Sequence, residues 1–139
     1  MPARARTFTY DVALDADWIV TSSRGGSPLP SEEEAWTPEH LVLAGLVRCS
    51  LTSFRYHARR AGLEPVARAT ASGAVTRRES DGRFAFVEID VRVDVRLEPA
   101  PAREAVQDLV AKGERDCFVG ASLTVKPAYR WTVNGKEIS

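Results

Sequence analysis

The stretch Trp36-Thr-Pro-Glu-His-Leu-Val-Leu-Ala-Gly-Leu-Val-Arg-Cys-Ser-Leu-Thr-Ser-Phe54 (WTPEHLVLAGLVRCSLTSF, residues 36–54) decides how the rest of the chain is organised. Thr37 is a good N-cap and Pro38 suits the first helical position, where its missing N–H is no loss. Trp36 and Leu41 are spaced as a hydrophobic staple. Gly62 supplies the C-terminal stop, so the spacing predicts a helix over 38–61. Leu41, Val42, Ala44, Leu46, Val47, Leu51 and Phe54 wrap most of its first half, which predicts burial on more than one side.

Outward from this helix the periodicity changes from 3.6 to 2. Residues 7–14 and 18–23 alternate apolar and polar around the Asp15-Ala16-Asp17 turn and read as two strands. The Gly-, Pro- and Ser-rich stretch from Ser23 to Ala35 reads as a loop. Residues 66–78 and 83–98 read as strands joined by Glu79-Ser-Asp-Gly82. Ile89, Val91, Val93, Val95 and Leu97 form a core face, while Glu88, Asp90, Arg92, Asp94, Arg96 and Glu98 form a solvated one. The parity changes between Phe86 and Val87, as a bulge would require. Pro101 opens a second helix, striped by Ala105, Val106, Leu109 and Val110, that fades between Gly113 and Cys117. A last strand over 122–133 ends at Asn134-Gly135. The whole is an α+β domain over 1–139, with the strands on one antiparallel sheet.

Composition excludes several classes. The chain of 139 residues, 44% hydrophobic and 27% charged with zero formal net charge, is ordinary for a single soluble domain. It advertises neither a nucleic acid nor an anionic membrane as partner. Lysine occurs only at Lys112, Lys126 and Lys136. No apolar run spans a bilayer, and the first residues lack the apolar core of a secretory signal, so the cytoplasm is the expected compartment. There, free thiols stay reduced. No P-loop, dinucleotide fingerprint or nucleophile-elbow serine occurs, and no cofactor is implied. Trp18, Trp36 and Trp131 read as core or interface anchors.

The candidate chemistry centres on the two cysteines, Cys49 and Cys117, both in segments that read as helical. A thiol reacts as its thiolate, and Cys49, placed mid-helix, has no helix N-terminus of its own to stabilise one. On base rates both cysteines are small core residues. Glu39 favours the helix dipole, or alternatively holds an arginine by paired hydrogen bonds. It stands about 15 Å from Cys49 along the same axis, so one site can use both only if a second copy of the chain supplies Glu39. Arg24, at a strand end before Gly25-Gly26, is the candidate activating cation. His40 and His57 are too few and wrongly spaced to make a zinc site with the cysteines.

Pro38, Glu39, the Ala/Gly-rich turn and Cys49, with a second cysteine at Cys117 and a terminal strand, resemble the pattern of the OsmC/Ohr family (osmotically inducible protein C and organic hydroperoxide resistance proteins). The resemblance covers roughly residues 7–133. It implies an OsmC-like fold, a sheet wrapped around two long helices in an intertwined homodimer with two interface sites. It further implies a thiol-dependent peroxidase of organic hydroperoxides, with Cys49 as the peroxidatic and Cys117 as the resolving thiol. Arg24 would hold Cys49 ionised, Glu39 would fix Arg24, and a dithiol or lipoyl group would serve as reductant. Cys117-Phe118 departs from the Cys-Pro of the Ohr branch and places the chain nearer the OsmC branch. The alternative is a dimer of the same fold that binds a small hydrophobic ligand at its interface, with inert cysteines.

Overall fold

The computed structural model describes residues 7–17, 20–25 and 37–138. Trp18, Trp36 and most of the predicted loop lie outside the described residues, and with them the Trp36 staple.

Six strands form one sheet in the order β2-β1-β3-β4-β5-β6. They are β1 (Phe8–Leu14), β2 (Val20–Ser22), β3 (Glu64–Arg77), β4 (Phe84–Glu98), β5 (Ala128–Val133) and β6 (Lys136–Ile138). The helices are α1 (Pro38–Arg60), α2 (Arg103–Arg115) and the short α3 (Phe118–Ser122). The alternation in β4 works as expected: Ile89, Val91, Val93, Val95 and Leu97 are buried with Val12, Leu14, Ala69, Ala71, Trp131 and Val133 on the helix-covered face. The opposite face carries exposed charge, including the Arg68–Asp94 ion pair at 3.0 Å. That pair is solvated and contributes little to stability.

The bulge falls where the parity changes. Ala74 pairs with Glu88 but Val75 pairs with Phe86, which leaves Val87 between registers. The bulge turns the Phe86 ring over Gly73, where a Cβ would lie 2.7 Å from Phe86 Cε1. Only glycine leaves the room that this approach requires.

Helix α1 begins as the sequence predicts. The Thr37 hydroxyl accepts the His40 N–H, and the His40 ring receives the Thr37 N–H in return, closing a capping box. The prediction that α1 is buried on more than one side does not hold within the chain. Leu43, Leu46, Val47, Leu51 and Phe54 are buried, yet Leu41 is 52% exposed and Val42 also faces outward.

Three other expectations need correction. The sheet is mixed, because β5 runs parallel to β4. The chain leaves the end of β4, passes through α2 and α3, which pack on α1, and re-enters beside the middle of β4 with Ala128 opposite Asp90, and such a crossover delivers a parallel neighbour. Period-2 alternation is the same for either direction and could not report it. Secondly, the second helix ends at Arg115, within the predicted span, but Cys117 is the N-cap of a further short helix, α3, instead of a helical residue. Thirdly, the last strand starts at Ala128, and the Asn134-Gly135 turn leads into β6. Asn134 and Gly135 take positive φ (49° and 81°), the conformation of a two-residue hairpin turn.

Candidate functional site

Helix α1 is the floor of the site. Cys49 and Ser50 are neighbours on its middle turn, the thiol half-buried and the hydroxyl fully buried. The α2–α3 break sits above them. Its position follows from two anchors: Gly113 packs on Phe54, so closely that a Cβ would lie 3.4 Å from the Phe54 Cα, and Asp116 Oδ2 accepts from His57 Nε2 at 2.7 Å. Both anchors tie the end of α2 to the second half of α1. The residue that follows, Cys117, is thereby delivered beside Cys49, close enough for its thiol to act on the Cys49 sulfur.

The start of α3 completes the environment. The Val119 N–H reaches Cys49 Sγ at 3.5 Å, and the Phe118 N–H also bears on that sulfur. Cys117 Sγ accepts the Gly120 N–H at 3.4 Å. Burial pushes the Cys49 thiol up, and the neighbouring Cys117 thiol adds to this, while the Val119 and Phe118 amides pull it down. The upward causes win within the chain. Cys49 therefore holds its proton more tightly than an exposed cysteine.

Of the four residues singled out in the sequence, the fold brings Cys49 and Cys117 together and holds Arg24 and Glu39 elsewhere. The Arg24 guanidinium lies 5.8 Å from the Tyr10 ring centroid, and the Tyr10 ring meets His40 edge-on at 5.1 Å. Burial raises the Tyr10 hydroxyl, the Glu39 charge raises it further, and Arg24 lowers it. Arg24 and Glu39 thus share the neighbourhood of Tyr10, at the N-terminal end of α1. The four residues form two half-sites, one beside the start of α1 and one beside its middle turn.

Two residues that sequence reasoning missed complete the thiol half-site. Ser50 Oγ lies 3.4 Å from Cys117 Sγ and 2.9 Å from the Tyr129 hydroxyl. Tyr129 stacks on Trp131, ring centroids 6.1 Å apart, and the Trp131 indole N–H donates to Glu114 Oε2 at 2.9 Å. Only adjacency to Cys49 could have drawn attention to Ser50, and Tyr129 carried no signal beyond a place on a strand. Among the described residues no group of His, Cys, Asp and Glu could hold a metal ion, and no helix is long and apolar enough to cross a membrane.

A mixed sheet covered by a long central helix, with a cysteine mid-helix and a second in the crossover, defines an α+β thiol protein. The particular class follows from comparison. The sequence profile described as "OsmC-like protein" matches residues 31–133, and the chain belongs to that family. An OsmC-like protein of unknown function from Vibrio cholerae has the same fold, with a TM-score of 0.65 and 13% identity, over 94% of this chain and 100% of that one. The organic hydroperoxide resistance protein OhrB of Bacillus subtilis aligns with a TM-score of 0.56 and 21% identity, over 94% and 98% of the two chains. An organic hydroperoxide resistance protein from Elizabethkingia anophelis aligns with a TM-score of 0.59 and 16% identity, over 96% and 99%. A search of curated proteins finds no match.

Proposed function

We propose that this chain is a cysteine-based peroxidase that reduces organic hydroperoxides, working as a homodimer. The observation that carries the reading is the closeness of Cys49 and Cys117, brought together by elements remote in sequence, with consecutive amides of one turn on the two sulfurs: Val119 N–H on Cys49 and Gly120 N–H on Cys117. In the proposed step the Cys49 thiolate attacks the outer peroxide oxygen and the O–O bond breaks. The alkoxide takes a proton and leaves as an alcohol, and Cys49 becomes a sulfenic acid. Cys117 then condenses with it to a disulfide, releasing water. A dithiol or lipoyl group returns both thiols.

A thiolate at Cys49 requires a cation, because burial alone works against it. Arg24 and Glu39 stand together near Tyr10, away from Cys49 of the same chain, so the proposed site takes its arginine and carboxylate from a second copy. The exposed apolar residues Leu41 and Val42 on α1 give that copy a surface to cover. Phe118, 80% exposed beside the thiol pair, offers an apolar lip that favours an organic peroxide over hydrogen peroxide.

A second reading is a dimer of the same fold that binds a small hydrophobic ligand without turnover. One observation favours it: burial holds the Cys49 thiol up within the protomer. Peroxide consumption with a dithiol reductant separates the two. The peroxidase reading expects cumene hydroperoxide to be consumed faster than hydrogen peroxide, and Cys49→Ser to abolish turnover. Full activity in Cys49→Ser would overturn it.

A further inference from the structure

Cys117 has hydroxyl partners that the chemistry above leaves unused. Ser50 Oγ, fully buried, stands 3.4 Å from Cys117 Sγ, 2.9 Å from the Tyr129 hydroxyl and 2.9 Å from the Leu46 carbonyl oxygen. The serine has one proton for three neighbours, and the Leu46 carbonyl can only accept. If Ser50 gives its proton to Leu46, both Cys117 and Tyr129 must donate to Ser50, and Cys117 is fixed as a thiol. If Ser50 turns its proton to Cys117, the sulfur becomes an acceptor, which is the role of a thiolate. Tyr129 still donates to Ser50 in that state, and the Gly120 N–H gives the sulfur a second donor.

From this count we infer that Ser50 and Tyr129 are positioning residues for Cys117: one rotating hydroxyl proton, backed by the tyrosine, switches the second thiol between its resting and attacking forms. The inference rests on the peroxidase reading. In the step it serves, Cys117 sulfur attacks the sulfur of the Cys49 sulfenic acid. An S–S bond forms and the S–O bond breaks. The departing hydroxide leaves as water, carrying the proton that Cys117 gives up. Burial drives ionisation of the Tyr129 hydroxyl upward, so it remains a donor throughout the working range. The ionisable groups that face this cluster are Cys49 from α1 and Glu114 from α2.

The test titrates Cys117 by ultraviolet thiolate absorbance in a Cys49→Ala background, and times sulfenic-acid consumption in the protein that retains both cysteines. Ser50→Ala suits a helix interior, and Tyr129→Phe keeps the stack on Trp131, so both variants are built to fold. Removing the hydroxyl is expected to raise the Cys117 titration by about one pH unit in Ser50→Ala, and by less in Tyr129→Phe. Disulfide closure should slow roughly tenfold in Ser50→Ala, with the burst of peroxide consumed still one equivalent per Cys49. A Cys117 titration unmoved in both variants overturns the assignment. A shifted titration in a protein whose Cys49 forms no sulfenic acid overturns the peroxide reading and leaves the hydroxyl pair standing.

Discussion

The amide of Val119 points at the sulfur of Cys49 from 3.5 Å, across a sequence separation of 70 residues. The turn that carries Cys117 is therefore anchored on the atom Cys117 has to reach. This contact makes up for what Cys49 lacks as a mid-helix residue: N–H donors come from the first turn of another helix, delivered by the fold. The donors are not enough to overcome burial, which is why the account needs a cation from outside the protomer.

The approach of α2 to α1 sets the distance between the thiols. A methyl on Gly113 would lie 3.3 Å from Phe54 Cβ and 3.4 Å from its Cα, a backbone atom with little freedom to move. Gly113→Ala gains up to about 1 kcal/mol in helix propensity and loses about 1–3 kcal/mol to crowding. The expected net loss is about 1 kcal/mol, seen as a Tm lower by about 3–5 °C in a thermal melt. Disulfide closure should slow as well, since the end of α2 carries Cys117. An unchanged Tm with normal closure would show that the helices separate freely.

The two half-sites predict complementation between damaged chains. Neither Cys49→Ser nor Arg24→Ala should consume peroxide alone. Co-expressed, they form mixed dimers in which one site has Cys49 from one chain and Arg24 from the other. Random pairing gives about half mixed dimers, each with one intact site of two, so about a quarter of the unmutated activity should return. Activity no higher than that of either variant would mean that Arg24 does not act across the dimer.

Glu114 links stability to pH. Burial raises its carboxyl above the ordinary glutamate value of 4.5, and the Trp131 N–H and Lys126 pull it back only in part. A raised folded pKa favours the fold while the group is protonated. That contribution is fully present below the unfolded pKa and is lost as pH rises through the folded one. Glu114→Gln keeps an acceptor for Trp131 and removes the charge. At neutral pH it should raise Tm by about 1–2 °C, a small gain because the group is partly solvated. The gain should vanish below pH 4.5, where the glutamate itself is neutral. A gain that persists in acid would trace to packing and not to charge.

Much of this protein could be read from local patterns. Thr37-Pro38 and Gly62 marked both ends of α1 because capping is a local matter of one or two residues. The β4 stripe, and even the bulge at Val87, followed from which face each side chain had to occupy. The parallel return of β5 depends on where a crossover lands, and alternation carries no direction. The end of α2 fell inside the predicted span, but the break that makes Cys117 the cap of α3 was hidden for a similar reason. Gly113 to Cys117 offers no proline and no cap, and the helix is stopped by tertiary anchors, Phe54 against Gly113 and His57 against Asp116. At the site, Cys49 and Cys117 were legible as a candidate pair from the family pattern. Ser50 and Tyr129 were not, because a buried serine and a strand tyrosine look the same whether they pack or hold a proton. The separation of Arg24 from Cys49 within one chain became visible only when Tyr10 was placed between β3 and the start of α1.

The central claim is that Cys49 and Cys117 form one redox couple. Its most direct measurement is a non-reducing peptide map after one equivalent of cumene hydroperoxide is added to the fully reduced protein. The account predicts that the peptides carrying Cys49 and Cys117 become joined within one chain, and that a dithiol separates them again. Peroxide consumed while both thiols stay free, or Cys49 linked only to a second chain, would contradict it.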